Sequence, residues 1–153
     1  MPAPRIIGRH RGTGRELAIL GLDSVKASFS WENRKGRHFV CLCVMDARNT
    51  SADELGSFCS NLLRTGCAYF CAWGPDCERV HDAMDAEIVG DDPPTTYIGC
   101  VMTTWHANEA LRDAFGFFLD CTAPDEDFAP DGCASALIIV VDQLIGLRIL
   151  SVS

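Results

Sequence analysis

The sequence predicts an α/β fold, a three-layer sandwich around a mostly parallel sheet, flavodoxin-like or otherwise Rossmann-like, with an N-terminal β addition. Three observations predict it. From His38 onward, apolar runs of strand length alternate with segments of helical periodicity. The runs are continuous rather than alternating, as strands buried on both faces are. The chain of 153 residues, 48% hydrophobic and 22% charged, suits one folded domain with a real core.

Residues 1–15, with Pro2, Pro4, Gly8, Gly12 and Gly14, read as a mobile basic arm ahead of a single α/β domain over 16–153. The glycines match neither a dinucleotide nor a phosphate-loop spacing. Glu16–Leu20 and Val25–Trp31, separated by Gly21-Leu22-Asp23-Ser24, suit an edge hairpin. Phe39–Met45 is a buried strand ending in Asp46. Ser51-Ala52-Asp53-Glu54 is a capping box, followed by Leu55, Phe58, Cys59, Leu62 and Leu63 at helical spacing, and Gly66 closes that helix. Cys67–Trp73 is the next strand. Pro75 then suits the first turn of a helix whose buried stripe runs through Val80, Met84 and Ile88.

Gly90-Asp91-Asp92-Pro93-Pro94 ends that helix, and Thr95–Trp105 is rich in strand-forming residues. Asn108 is placed to cap a third helix with an apolar stripe through Leu111, Ala114, Phe115 and Phe118. A loop follows over 121–135 with Asp125, Glu126, Asp127 and Asp131; these lack the EF-hand order of calcium ligands and suit a solvated lid. Ala136–Val141 is the last parallel strand, and Leu144–Leu150 extends it or forms an edge strand.

Net charge is −8 and unevenly placed. Residues 1–38 hold eight Lys/Arg against three Asp/Glu, a balance of +5, which leaves −13 on residues 39–153. An acidic body does not release counterions from phosphate, which excludes nucleic acid binding across it. The N-terminus lacks the apolar segment of a signal peptide, and no apolar run is long enough to span a bilayer, so the expectation is a soluble, cytoplasmic protein without a membrane partner. Nine cysteines, an odd number with no CxxC pair, do not suit a disulfide framework or a zinc finger.

In an open α/β sheet, sites lie at the C-terminal strand ends. Here those ends carry Asp46, then Trp73-Gly74-Pro75-Asp76-Cys77, then Thr103-Thr104-Trp105-His106. Cys77, at a helix N-terminus, is placed for a lowered thiol pKa, and His81 lies one turn on. Cys77 also falls in phase with Val80 and Met84, which suits a core-facing thiol equally. His106 is placed as a general base or a packing residue, Asp46 as an orienting carboxylate, and Trp73, Trp105 and Asp76 as substrate-binding walls. If the four parallel strands are ordered 2-1-3-4, the first strand separates Cys77 from His106 by about 10 Å. A zinc set of Cys77, His81, His106 and Asp46 is conceivable, but the spacing specifies no metal and no cofactor.

The stretches Ala72-Trp73-Gly74-Pro75-Asp76-Cys77, Glu78-Arg79-Val80-His81-Asp82 and Thr103-Thr104-Trp105-His106 together resemble a family of small uncharacterised bacterial α/β domains. The resemblance covers roughly residues 39–141 and implies that both motifs belong to one site or one structural device, without naming a reaction. Two functions of different class follow from the residues. One is a small-molecule or thiol-chemistry site at the strand ends, with Cys77 as nucleophile, His81 or His106 as base and Asp46 as orienting group. The other is a non-catalytic acidic protein, an immunity protein or adaptor, for a basic protein partner. They separate on whether Cys77 and His106 are accessible and perturbed, or buried as packing.

Overall fold

The computed structural model describes residues 2–90, 100–128 and 133–141. Their order is β1 (Arg5–Arg9), β2 (Glu16–Leu22), β3 (Phe39–Val44), α1 (Ala52–Thr65), β4 (Cys67–Trp73), α2 (Cys77–Val89), β5 (Met102–Trp105), α3 (Leu111–Asp120), a 3-10 turn (Glu126–Phe128) and β6 (Ser135–Val141). One sheet holds all six strands in the order β1-β2-β6-β3-β4-β5. β1 pairs antiparallel with β2, and the other four pairings are parallel.

The apolar runs account for the layers. In β3, β4 and β6 successive side chains point to opposite faces, so an unbroken run feeds two cores. Cys41, Cys43, Phe70, Leu137 and Ile139 face α1 and α2, whereas Val40, Leu42, Cys71, Ile138 and Val140 face α3 with Phe118. The Ser51 hydroxyl accepts the Glu54 N–H at 3.2 Å as the capping box predicts, and Gly66 closes α1 in the left-handed region.

The strand order differs from 2-1-3-4. β4, not β3, lies between the neighbours, because α1 and α2 share one face and two successive right-handed crossovers step β3→β4→β5 in one direction. Only α3, on the opposite face, carries the chain back to place β6 beside β3. The separation of Cys77 from His106 by an intervening strand is thereby removed.

The N-terminal addition also differs in its partner. β2 pairs with Arg5–Arg9, inside the segment expected as a mobile basic arm, rather than with Val25–Trp31. Residues 25–31 form no strand. Val25 and Trp31 are buried against the α1/α2-side core, with the Trp31 ring edge-on to Phe39 at 5.2 Å. Arg15 ties the start of β2 to the far end of the chain, its guanidinium donating to the carbonyls of Cys133 at 2.8 Å and Thr122 at 3.0 Å. The expectations for residues 91–99, Asp131 and 144–150 lie outside the described residues.

Candidate functional site

Gly74 makes the turn after β4. It adopts φ +125°, and a Cβ there would sit 2.0 Å from the Met45 carbonyl oxygen, so only glycine lets the β4–α2 turn lie against the end of β3. Asp76 follows at φ 60° and α2 begins at Cys77 without a side-chain cap. Pro75 therefore lies in the turn, ahead of the helix rather than in its first turn. Arg79 ties the start of α2 to the loop between β3 and α1, donating to the Ala47 carbonyl at 2.6 Å and the Thr50 carbonyl at 2.8 Å.

The β5–α3 turn lies alongside because β5 is the neighbour of β4. The His106 N–H donates to the Ala72 carbonyl at 2.9 Å, extending the ladder, and the Trp73 indole N–H donates to the Glu109 carbonyl at 2.8 Å. Asn108 does not cap α3; it sits at φ 61° within the turn, and Ala110 precedes the helix. Between the two turns is a cleft of about 450 Å³ lined by Trp73–Glu78 and His106–Glu109. The two motifs thus form one rim.

The reactive groups at this rim are enclosed. Cys77 is 2% exposed. Burial pushes its thiol up, outweighing the backbone N–H groups of His106, Cys77 and Gly74 that favour the anion. This corrects the lowered pKa expected from the helix N-terminus: the stripe of Val80 and Met84 carries Cys77 into the core with it.

His106 is 7% exposed, its ring packed on Phe117 at 4.9 Å. Nδ1 meets the Glu109 carboxylate at 2.8 Å, and a carboxylate only accepts, so Nδ1 carries the hydrogen. In the neutral ring Nε2 then accepts from the Thr104 hydroxyl at 2.9 Å. The nitrogen that could act as a base is turned toward Thr104, which does not line the cleft.

His81 belongs to a second cluster, on the α2 side of β5. Thr103 donates its one hydroxyl hydrogen to Asp85 at 2.6 Å and accepts from His81 Nε2 at 3.0 Å. Asp82 meets His81 Nδ1 at 3.1 Å, and the ring packs against Trp105 at 4.5 Å. Trp105 itself is 45% exposed. Thr103 and Thr104, adjacent in β5, therefore serve two histidines on opposite faces of the sheet.

Asp46 stands apart. It is bound by the Arg48 guanidinium at 2.5 to 3.1 Å, which holds its carboxyl below the usual range. The geometry thus joins Cys77, Asp76, Trp73 and His106 around one cleft, puts His81 and Trp105 beside it, and gives Asp46 to Arg48. Among the described residues no three His, Cys, Asp or Glu side chains converge in a metal-binding arrangement, so the conceived set of Cys77, His81, His106 and Asp46 is not assembled. Glu109 and Asp85 were not singled out by sequence reasoning, and Thr103 and Thr104 entered only as part of the strand-end motif; the i, i+4 spacing of His81 and Asp85 on α2 was the available signal, whereas His106 and Glu109 lie in the turn ahead of α3.

Among the described residues no helix is long and apolar enough to cross a membrane. No curated protein and no solved structure matches the chain. A family model described as a domain of unknown function, DUF7684, matches residues 20–141, which take in the end of β2, all of β3 to β6 and both rim motifs, and the chain belongs to that family.

Proposed function

We propose that this domain is a non-catalytic binding protein whose acidic rim, at the C-terminal ends of β4 and β5, captures a basic protein partner. One observation carries it: Cys77, His81 and His106 are all buried, while the carboxylates around them, Asp76, Glu78, Asp82 and Glu109, are exposed beside an exposed Trp105. A rim built for thiol chemistry would present its sulfur and the basic nitrogen of its histidine. This one presents negative charge and an aromatic face, which attract a Lys or Arg side chain through electrostatics and cation–π contact. The resemblance to small bacterial domains fits a cytoplasmic immunity protein or adaptor.

A short oligo-lysine peptide, titrated while tryptophan fluorescence is followed, tests the proposal. Binding that weakens steeply with salt and is absent for an oligo-glutamate control supports it. Equal response to both peptides, or none to oligo-lysine, overturns it.

A second reading is favoured by the cleft itself. Its volume is within the range of small-ligand sites, and both motifs line it. A small molecule there would contact Trp73, Cys77 and His106, and thiol chemistry would require the cleft floor to open.

A further inference from the structure

The five large hydrophobic side chains exposed among the described residues are not scattered. Ile6 (52%) and Ile7 (45%) lie on β1, Met102 (43%) and Trp105 (45%) on β5, and Val89 ends α2. β1 and β5 are the two edges of the sheet, each with one strand partner among the described residues. The edges differ in charge. β1 begins and ends with exposed arginines, Arg5 and Arg9, while β5 is bordered by Asp82 and Asp85, gathered around the His81 ring under Trp105.

We propose that the β5 edge docks β1 of a second copy of this chain, so that two sheets join antiparallel, edge to edge. This rests on the acidic rim being a docking surface and names its occupant. β1 is antiparallel to β2, and β2 through β5 run parallel, so continuing the sheet into a second copy sets β1 antiparallel to β5 without turning either molecule over. Faces match as well. The register shift between Ile6 and Gly8 places Ile6 opposite Ala18 and Arg9 opposite Glu16, both on the α1/α2 side. That is the side on which Trp105, Asp82 and Asp85 lie. Ile6 thereby meets Trp105, and Arg9 meets the carboxylates.

Other pairings are disfavoured. Two β1 edges offer each other only arginines and two β5 edges only the flanking carboxylates, so the mixed pair alone is complementary in charge. The contact joins unlike edges, which leaves a free β1 and a free β5 at the ends and permits growth beyond a dimer. The bulge in β1 and the four-residue length of β5 limit its strength, as is usual for guarded edges.

Sedimentation velocity of the full chain over a concentration series tests this. The wild type is expected to gain mass past the dimer at about 50 mM salt and to lose about tenfold or more of its association constant at about 500 mM. Arg9→Glu and Asp82→Arg, at exposed positions, are each expected to be monomeric, and their equimolar mixture to associate again through Glu–Arg and Arg–Asp contacts. Should Arg9→Glu not fold, Arg9→Gln, which removes the charge alone, is expected to weaken association in its place. A wild type that stays monomeric throughout, single variants that associate like the wild type, or a mixture that does not recover association would each overturn the proposal. A monomer that still binds oligo-lysine defeats self-docking and keeps the acidic rim; a monomer that binds neither defeats both.

Discussion

Replacing Gly74 by alanine tests whether the rim depends on the close approach of the β4–α2 turn to β3. The backbone there is at φ +125°, a region that costs a side-chain-bearing residue about 1–3 kcal/mol. The new Cβ would lie 2.0 Å from the Met45 carbonyl oxygen and 2.9 Å from its carbon, both backbone atoms, so relief requires movement of β3 or the turn by more than 1 Å. That movement strains the Met45 N–H bond to the Trp73 carbonyl, now 3.1 Å, worth about 1 kcal/mol. Together the expected loss is about 2–4 kcal/mol, at the upper end of what one substitution ordinarily costs. Urea denaturation followed by circular dichroism measures it, with Gly8→Ala as control, since a Cβ at Gly8 meets nothing within 4 Å. A Gly74→Ala loss below about 1 kcal/mol would refute the steric argument.

Two further outcomes follow from the rim's hydrogen bonds and charges. Thr103→Val removes the hydroxyl that joins Asp85 to His81, and should cost about 1–3 kcal/mol in the same urea assay; Thr103→Ser should restore most of it, whereas a valine variant as stable as wild type would show the cluster to be idle. Arg48 lowers the folded-state pKa of Asp46, so the stability this pair contributes is present above the unfolded carboxylate pKa and is lost as pH falls through the folded one. The urea midpoint difference between wild type and Arg48→Ala should therefore be small at pH 7, because the pair is solvent-screened, and should vanish at about pH 2. A difference that grows on acidification would contradict the assignment.

The parallel core was legible because β3, β4 and β6 are unbroken apolar runs, a pattern that only a strand covered on both faces explains. Ser51 and Gly66 likewise marked the ends of α1 through local chemistry. Strand order was not legible, since it depends on which face each crossover helix takes, a property of the assembled layers. Val25–Trp31 has strand-like composition, yet its apolar groups cover an open part of the core instead. At the rim, the strand-end positions of Gly74, Cys77 and His106 were legible, and their burial and contacts were not. Cys77 was in phase with both a helix N-terminus and the buried stripe, and its burial in the core, a property of the assembled layers, decides between them. The Glu109–His106–Thr104 chain spans the β5–α3 turn, where no periodicity announces which side chains meet.

The most direct test of the central claim, that the rim's thiol is a buried structural group beneath a docking surface, is site-resolved alkylation of the folded protein across pH, read by peptide mapping. Cys43 and Cys71, pushed up to about 12 by burial, serve as slow internal standards, and exposed Cys100 and Cys121 as fast ones. The account predicts that Cys77 labels far more slowly than Cys100 and Cys121, with a midpoint above the ordinary thiol value. Labelling of Cys77 ahead of both, with a midpoint below that value, would contradict it and make the cleft a site of thiol chemistry.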